Sequence, residues 1–200
     1  MNSTRSGLRQ YAVALRALLL LTVALGVVYP LAITGIGQAA FASQANGSML
    51  TVNGAPVGSS LIGQSFTDAE GDPLPEWFQS RPSAAGDGYD ASASSGSNLG
   101  PSNPDLVGSI QERRAAIAAF NGVDPAALPA DALTASASGL DPQISPAYAE
   151  LQVARVAEAR GLPEESVRAL VDDAVQGRDL GFLGDETVNV LELNLALAQL

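Results

Sequence analysis

From Ala17 to Ala42 the chain runs for 26 residues without a formal charge, and most of them are Leu, Val, Ala and Ile. As a helix this run is roughly 39 Å long at about 1.5 Å per residue. The hydrocarbon core of a bilayer is about 30 Å thick, so the run spans it with tilt or with a protruding last turn. Arg16 marks the near edge, since an arginine at the bilayer centre costs about 2.5–3.5 kcal/mol on insertion scales. Pro30, after Tyr29, removes a backbone donor past the middle of the run and predicts a kink there. Gly26, Gly35 and Gly37 leave room for close approach by another helix. Gly26, Tyr29, Pro30 and Gly35 are therefore the candidate membrane-packing positions, with ordinary membrane-helix glycines as the plainer alternative.

Charge is divided sharply around this run. Residues 1–42 carry Arg5, Arg9 and Arg16 and no acid, a charge of +3, whereas residues 43–200 carry −14. Positive residues before a span hold the amino end in the cytoplasm and send the following body outside it. The expected organisation is a short basic cytoplasmic terminus over 1–16, a transmembrane helix over 17–42 and an extracytoplasmic acidic soluble domain over 43–200. A cleaved signal peptide is the competing reading, because Ala40-Phe41-Ala42 fits the small-x-small pattern before a cleavage site near Ser43. Signal cores run about 7–15 apolar residues, and the much longer run here favours a retained anchor.

Missing residue types exclude much chemistry. All ten basic residues are arginine, and there is no lysine, histidine or cysteine. Ser-His-Asp and Cys-His nucleophiles, Cys/His zinc sites, thiol redox and the P-loop lysine are thereby excluded. An acidic body also repels nucleic acid. The adjacent acids Glu164-Glu165 and Asp172-Asp173 point in different directions on a helix, as solvated faces do. The carboxylates of Asp68-Ala69-Glu70-Gly71-Asp72 and Asp87-Gly88-Tyr89-Asp90 are of the type that binds calcium, but neither run has the spacing and terminal glutamate of an EF-hand loop, so the signal is weak. Asn46-Gly47-Ser48 matches a glycosylation sequon, a short pattern with many chance matches. No catalytic residue and no metal ligand is assigned.

The body reads as one mixed α/β domain, and the whole as an α+β chain behind a single membrane helix. Met49–Val52 and Val57–Ile62 flank Asn53-Gly54, a favoured hairpin dipeptide. Asn103-Pro104 opens a helix that Gly122 ends, and Ser145-Pro146 opens one that Gly161 ends. A third opens at Pro163 with Glu164 and Glu165 in its first turn, and Gly177 is expected to close it. The tail from Val188 reads as a helix capped by Asn189, although Leu191, Leu193, Leu195 and Leu197 also alternate like a strand. Residues 80–104, rich in Ser, Gly, Ala, Asn and Pro, have the composition of a flexible loop.

One part of that loop argues for order. Gly96-Ser97-Asn98-Leu99-Gly100-Pro101-Ser102-Asn103-Pro104 combines capping side chains with two prolines that restrict the backbone. Successive amides beside a helix start hold an anion in some proteins, and in others such a stretch is only a structured turn. This stretch resembles the C-subunit family of the Kdp-type potassium-transporting ATPase, and the likeness covers nearly the whole chain. Tyr29-Pro30-Leu31, Ser60–Gln64, Phe78–Ala84, Ser97–Pro104, Leu133–Ser136, Gly139–Pro142, Ile144–Pro146, Arg155–Gly161 and Val188–Leu197 follow in the family's order. Three positions depart from it. Ser95 stands where a second glycine is usual, Gln143 where a histidine is usual, and Asp90 where an asparagine is usual.

The resemblance implies a non-catalytic accessory subunit of a high-affinity, ATP-driven potassium importer. It implies as partners a channel-like potassium-binding subunit and a P-type ATPase subunit, with no cofactor of its own and with ATP and K+ handled by the complex. It also implies a chaperone-like role that raises the ATPase subunit's affinity for nucleotide. Gly96, Ser97, Asn98, Gly100, Asn103 and Gln143 are the candidate contacts to nucleotide or to a partner. A stand-alone exported binding domain, released near Ser43, is the alternative. The charge distribution sets the acidic domain across the membrane from cytoplasmic ATP, so the expected mechanism is assembly through the helix and an external domain.

Overall fold

The computed structural model describes residues 3–200, and side-chain surroundings from Gly7 onward; Met1 and Asn2 of the expected basic terminus lie outside the described residues. The chain divides into two compact units, with the boundary between Met49 and Leu50.

The first unit is helical. Helix α1 (Ser3–Val23) passes through a wide turn at Ala24–Val28 into α2 (Tyr29–Ala40), and the stretch Gly7–Ala40 is long and apolar enough to cross a membrane. The helical conformation therefore starts well before the uncharged run. It ends at Ala40, because Phe41 leaves the helical region (φ −138°, ψ 46°) before the single turn α3 (Ala42–Ala45). The proline defect is taken up as a π turn. Pro30 offers no N–H to the carbonyl four residues back and its ring crowds that carbonyl. The preceding amide, that of Tyr29, bonds instead to Ala24 O, five residues back, which widens the helix.

The second unit opens within strand β1 (Met49–Val52), which pairs with β2 (Ala55–Ser59) around Asn53-Gly54. Both turn residues take positive φ, 51° and 80°, as the hairpin turn requires. The second strand stops at Ser59 rather than reaching Ile62, because the chain turns there, with Ile62 N–H donating to Ser59 O.

Beyond residue 100 the punctuation acts as expected. Helix α4 (Pro104–Asn121) is capped by Asn103, whose side chain accepts from Asp105 N–H, and ends at Gly122 with φ 65°. After a short 3-10 turn (Pro125–Ala127) and α5 (Ala130–Leu133), strand β3 (Gln143–Ile144) leads to α6 (Pro146–Arg160). Ser145 caps α6, and Gly161 ends it at φ 66°. Helix α7 (Glu164–Ala174) stops three residues short of Gly177, because Val175-Gln176 becomes strand β4. Strand β5 (Thr187–Asn189) lies between β3 and β4 and is antiparallel to both, with Ile144 and Val175 on either side of Val188. Asn189 then caps α8 (Val190–Leu197), so the tail is a helix entered from a strand.

The core gathers on α6. Val153, Val156 and Ala149 are fully buried against Val167 and Val171 of α7, Leu193 and Leu197 of α8, and Phe78 from the irregular stretch.

Candidate functional site

Polar side chains, rather than a sheet, fasten the irregular segment 60–100 to this core. Gln152, fully buried on α6, accepts from Gln79 N–H (2.7 Å) and donates to Gln79 O (3.1 Å). Asn194 on α8 does the same to Phe78, accepting from its N–H and donating to its carbonyl, both at 2.9 Å. Each amide replaces the neighbouring strand that residues 78–79 lack. Arg155 donates to Gln152, Asn121 and the carbonyls of Pro75 and Trp77, with its guanidinium 4.4 Å above the Phe120 ring. Burial pushes its pKa down to about 10, so it stays charged at neutral pH. Arg160 lies 4.4 Å over the Trp77 ring and holds Glu76 O.

This fastening presents Arg81 beside the 134–142 loop. Arg81 Nη1 meets Asp141 Oδ2 at 2.9 Å, while Nε and Nη2 donate to Thr134 O. The Tyr89 hydroxyl donates to Arg81 O at 2.8 Å, and burial pushes that phenol up to about 12. Ser83 ties the same loops together, donating to Gly139 O and accepting from Tyr89 N–H. Close approach here needs glycine. A Cβ on Gly63 would stand 2.5 Å from the Tyr89 ring and 2.6 Å from Asp141 O, and one on Gly139 would stand 2.7 Å from Ala85 N.

Two open concavities flank the Arg81–Asp141 pair. One, of about 620 Å³, is lined by Leu61, Ile62, Ser94 and residues 135–138; the other, of about 370 Å³, by Asp131, Gln143, Ser145 and residues 185–187. Among the described residues no buried side-chain nitrogen or oxygen lacks a hydrogen-bond partner, and no group of acids is arranged to hold a metal ion. The Asp68 carboxylate is used by its own turn, accepting from Glu70 and Asp72 N–H. Asp90 likewise accepts from the Ser92 hydroxyl and amide, which hold its carboxyl below the usual range.

The candidate contact residues fall in two places. Gly96, Ser97, Asn98, Gly100 and Asn103 lie along one loop, whereas Gln143 lines the second concavity and bonds Gln176. Gly96 is small because a Cβ would sit 2.8 Å from Ala137 O. Asn98 takes a left-handed φ of 52° and bonds Gly96 O. Asn103 spends its carbonyl on Asp105 N–H, and Asp105 itself supplies a carboxylate to the first turn of α4. That geometry is a structured turn. Ser95 pairs with Ser138 O and stays outside the left-handed region, so the extra side chain is carried without strain. On the first unit, Gly37 packs against Ala45, whereas no neighbour lies within 4 Å of a Cβ at Gly35, and Tyr29 is exposed. Gln152 and Tyr89 were not singled out by the sequence. Arg81 carried a signal in being the only basic residue between Arg16 and Arg113.

The family model described as "K+-transporting ATPase, c chain" matches residues 11–199. A potassium-transporting ATPase KdpC subunit of Kineococcus radiotolerans is 57% identical over 190 residues, which is 95% of this chain and 93% of that protein. One of Caulobacter vibrioides is 56% identical over 186 residues, 92% of this chain and 90% of the other. One of Mycobacterium bovis is 51% identical over 193 residues, 96% and 99% respectively.

Proposed function

The chain belongs to the KdpC family, the C chains of the K+-transporting ATPase, and from that membership we propose that it is a single-span accessory subunit that assembles the pump from outside the cytoplasm. The observation that carries this is the unbroken family match from residue 11 to residue 199, which takes in the apolar helix and the whole body. Its partners are a channel-like potassium-binding subunit and a P-type ATPase subunit. The chain brings no cofactor; ATP and K+ are handled by the complex.

The arginines before the span support a cytoplasmic amino end and an external acidic domain. On that topology the domain and ATP are on opposite sides of the membrane. The chaperone-like effect on nucleotide affinity is then exerted through assembly, with the helix and the external domain holding the transport subunits in one arrangement. The structured turn over residues 96–103, already filled by its own hydrogen bonds, supports a partner contact there over a nucleotide one.

A mild-detergent pull-down of the tagged full-length chain from its own membranes, read by intact-mass spectrometry, tests the reading. An uncleaved chain recovered with two large membrane proteins, one of them a P-type ATPase, is the expected outcome. A lone chain beginning near Ser43 would overturn it in favour of an exported domain. Protease added outside intact spheroplasts should digest the body and spare an amino-terminal tag; the reverse pattern would overturn the orientation. Removing the chain from the purified complex should raise the KM for ATP, and an unchanged KM would remove the chaperone-like role.

A further inference from the structure

Between β4 and β5 the chain projects a short preformed tip. Asp179 and Leu183 form an antiparallel bridge, with Asp179 N–H on Leu183 O at 3.0 Å and Leu183 N–H on Asp179 O at 2.9 Å. Gly181 N–H on Arg178 O and Phe182 N–H on Asp179 O close the turn from within. The side chains on this turn face water: Leu180 is 83% exposed, Phe182 69% and Leu183 49%. The core buries comparable residues fully, as at Phe78, Leu193 and Leu197, and elsewhere in the second unit Leu61 and Leu200 are the large apolar residues exposed to a similar degree, neither of them in a cluster of three.

Folding does not account for this tip. Leu180 takes φ 53°, a left-handed conformation that costs a residue other than glycine about 1–2 kcal/mol, and its side chain gains no burial in return. Three large apolar side chains held out on a hydrogen-bonded turn are what an interface anchor requires, since little ordering entropy is lost on docking.

The rim identifies the partner's chemistry. Asp179, Asp185 and Glu186 surround the tip, and the one cation, Arg178, lies 3.6 Å from Asp185. Segments that lie in a bilayer surface combine apolar residues with Lys and Arg, and this rim is acidic instead, which disfavours lipid as the partner. A second copy of the chain would bring the same acids into opposition. We propose that Leu180, Phe182 and Leu183 dock into an apolar pocket rimmed by Lys or Arg on a neighbouring subunit of the potassium-transporting complex. This rests on the subunit reading above and adds the contact residues. Tethering by the chain's own membrane helix raises the effective concentration of the tip at its pocket, so a small contact suffices.

The test uses the full-length chain in its own membranes. The double variant Leu180→Asn, Phe182→Ser keeps the turn, because asparagine tolerates left-handed φ. In mild-detergent pull-downs it should retain the ATPase subunits at least about tenfold less well than the native chain, the loss of one interface anchor. Val107→Ser, which removes a 42%-exposed apolar residue elsewhere on the body, should retain them fully. Independently, a benzophenone amino acid at position 182 should cross-link to a peptide of an ATPase subunit that carries Lys or Arg beside the attachment point. Equal retention by the double variant overturns the proposal, as does a cross-link to lipid or to a second copy. A native chain that recovers no ATPase subunit removes the subunit reading itself, and the tip proposal with it.

Discussion

Two glycines of similar appearance in the sequence have opposite structural status. Gly63 sits where a Cβ would stand 2.5 Å from the Tyr89 ring and 2.6 Å from a backbone carbonyl, whereas Gly100 has nothing within 4 Å and no positive φ. Gly63→Ala should therefore cost about 1–3 kcal/mol, as overpacking does, and Gly100→Ala should be close to neutral. Urea unfolding of the two variants in the same detergent decides it; equal midpoints would mean that the Gly63 contact relaxes freely. Tyr89, the residue Gly63 accommodates, gives a second prediction. Its phenol is held at about 12 in the folded chain against 10.0 for a free phenol, mainly by burial. Between those values the unfolded chain releases a proton that the folded chain keeps, so stability falls as pH rises from 10 towards 12. The wild-type stability minus that of Tyr89→Phe should be flat below pH 10 and decline above it. A difference that stays flat to pH 12 would show the phenol to be solvated. None of this was legible beforehand, because Gly63 and its neighbours meet only through the fold.

Legibility improves for helices whose ends are decided locally. Asn103-Pro104, Ser145-Pro146, Gly122 and Gly161 delimited two helices because a cap and a left-handed terminus involve residues within one turn. Gly177 misled for the converse reason: the pairing of Val175 and Gln176 with β5 is a tertiary contact that ended α7 early. The second β-strand was likewise cut at Ser59 by a turn. Residues 75–79 were the hardest to read, since their hydrogen bonds go to side chains 73 and 116 positions away. The energetic ranking follows from this division. Asn103→Ala removes one exposed cap and should cost about 1 kcal/mol. Gln152→Leu leaves the half-buried amide and carbonyl of Gln79 without partners together, at up to about 1–3 kcal/mol each, and should be clearly the more damaging. Thermal melts of the two variants rank them, and a milder effect for Gln152→Leu would mean that water reaches Gln79.

Across the whole molecule the separation of charge is the strongest feature the sequence carried, with +3 before the end of the apolar run and −14 after it. That asymmetry is independent of fold detail and is legible where tertiary contacts are not; the family was legible for a different reason, because its motifs follow one another in order along the chain. It also has a consequence for transport if the body lies over the potassium entrance of the complex. A domain of that charge raises the local cation concentration, but only within a Debye length, about 8 Å at physiological salt and about 30 Å at 0.01 M. Neutralising exposed acids that make no cap or ion pair, with Asp87→Asn, Glu112→Gln and Asp173→Asn together, removes three of those charges with little effect on the fold. At low ionic strength the apparent potassium affinity of the assembled pump should then weaken, and at physiological salt the variant and native complexes should converge. The salt dependence separates the field from a direct contact, because a lost contact would weaken affinity at both salt concentrations. Unchanged affinity at low salt would show that the acids serve solubility or docking, and that potassium reaches its site without help from this domain.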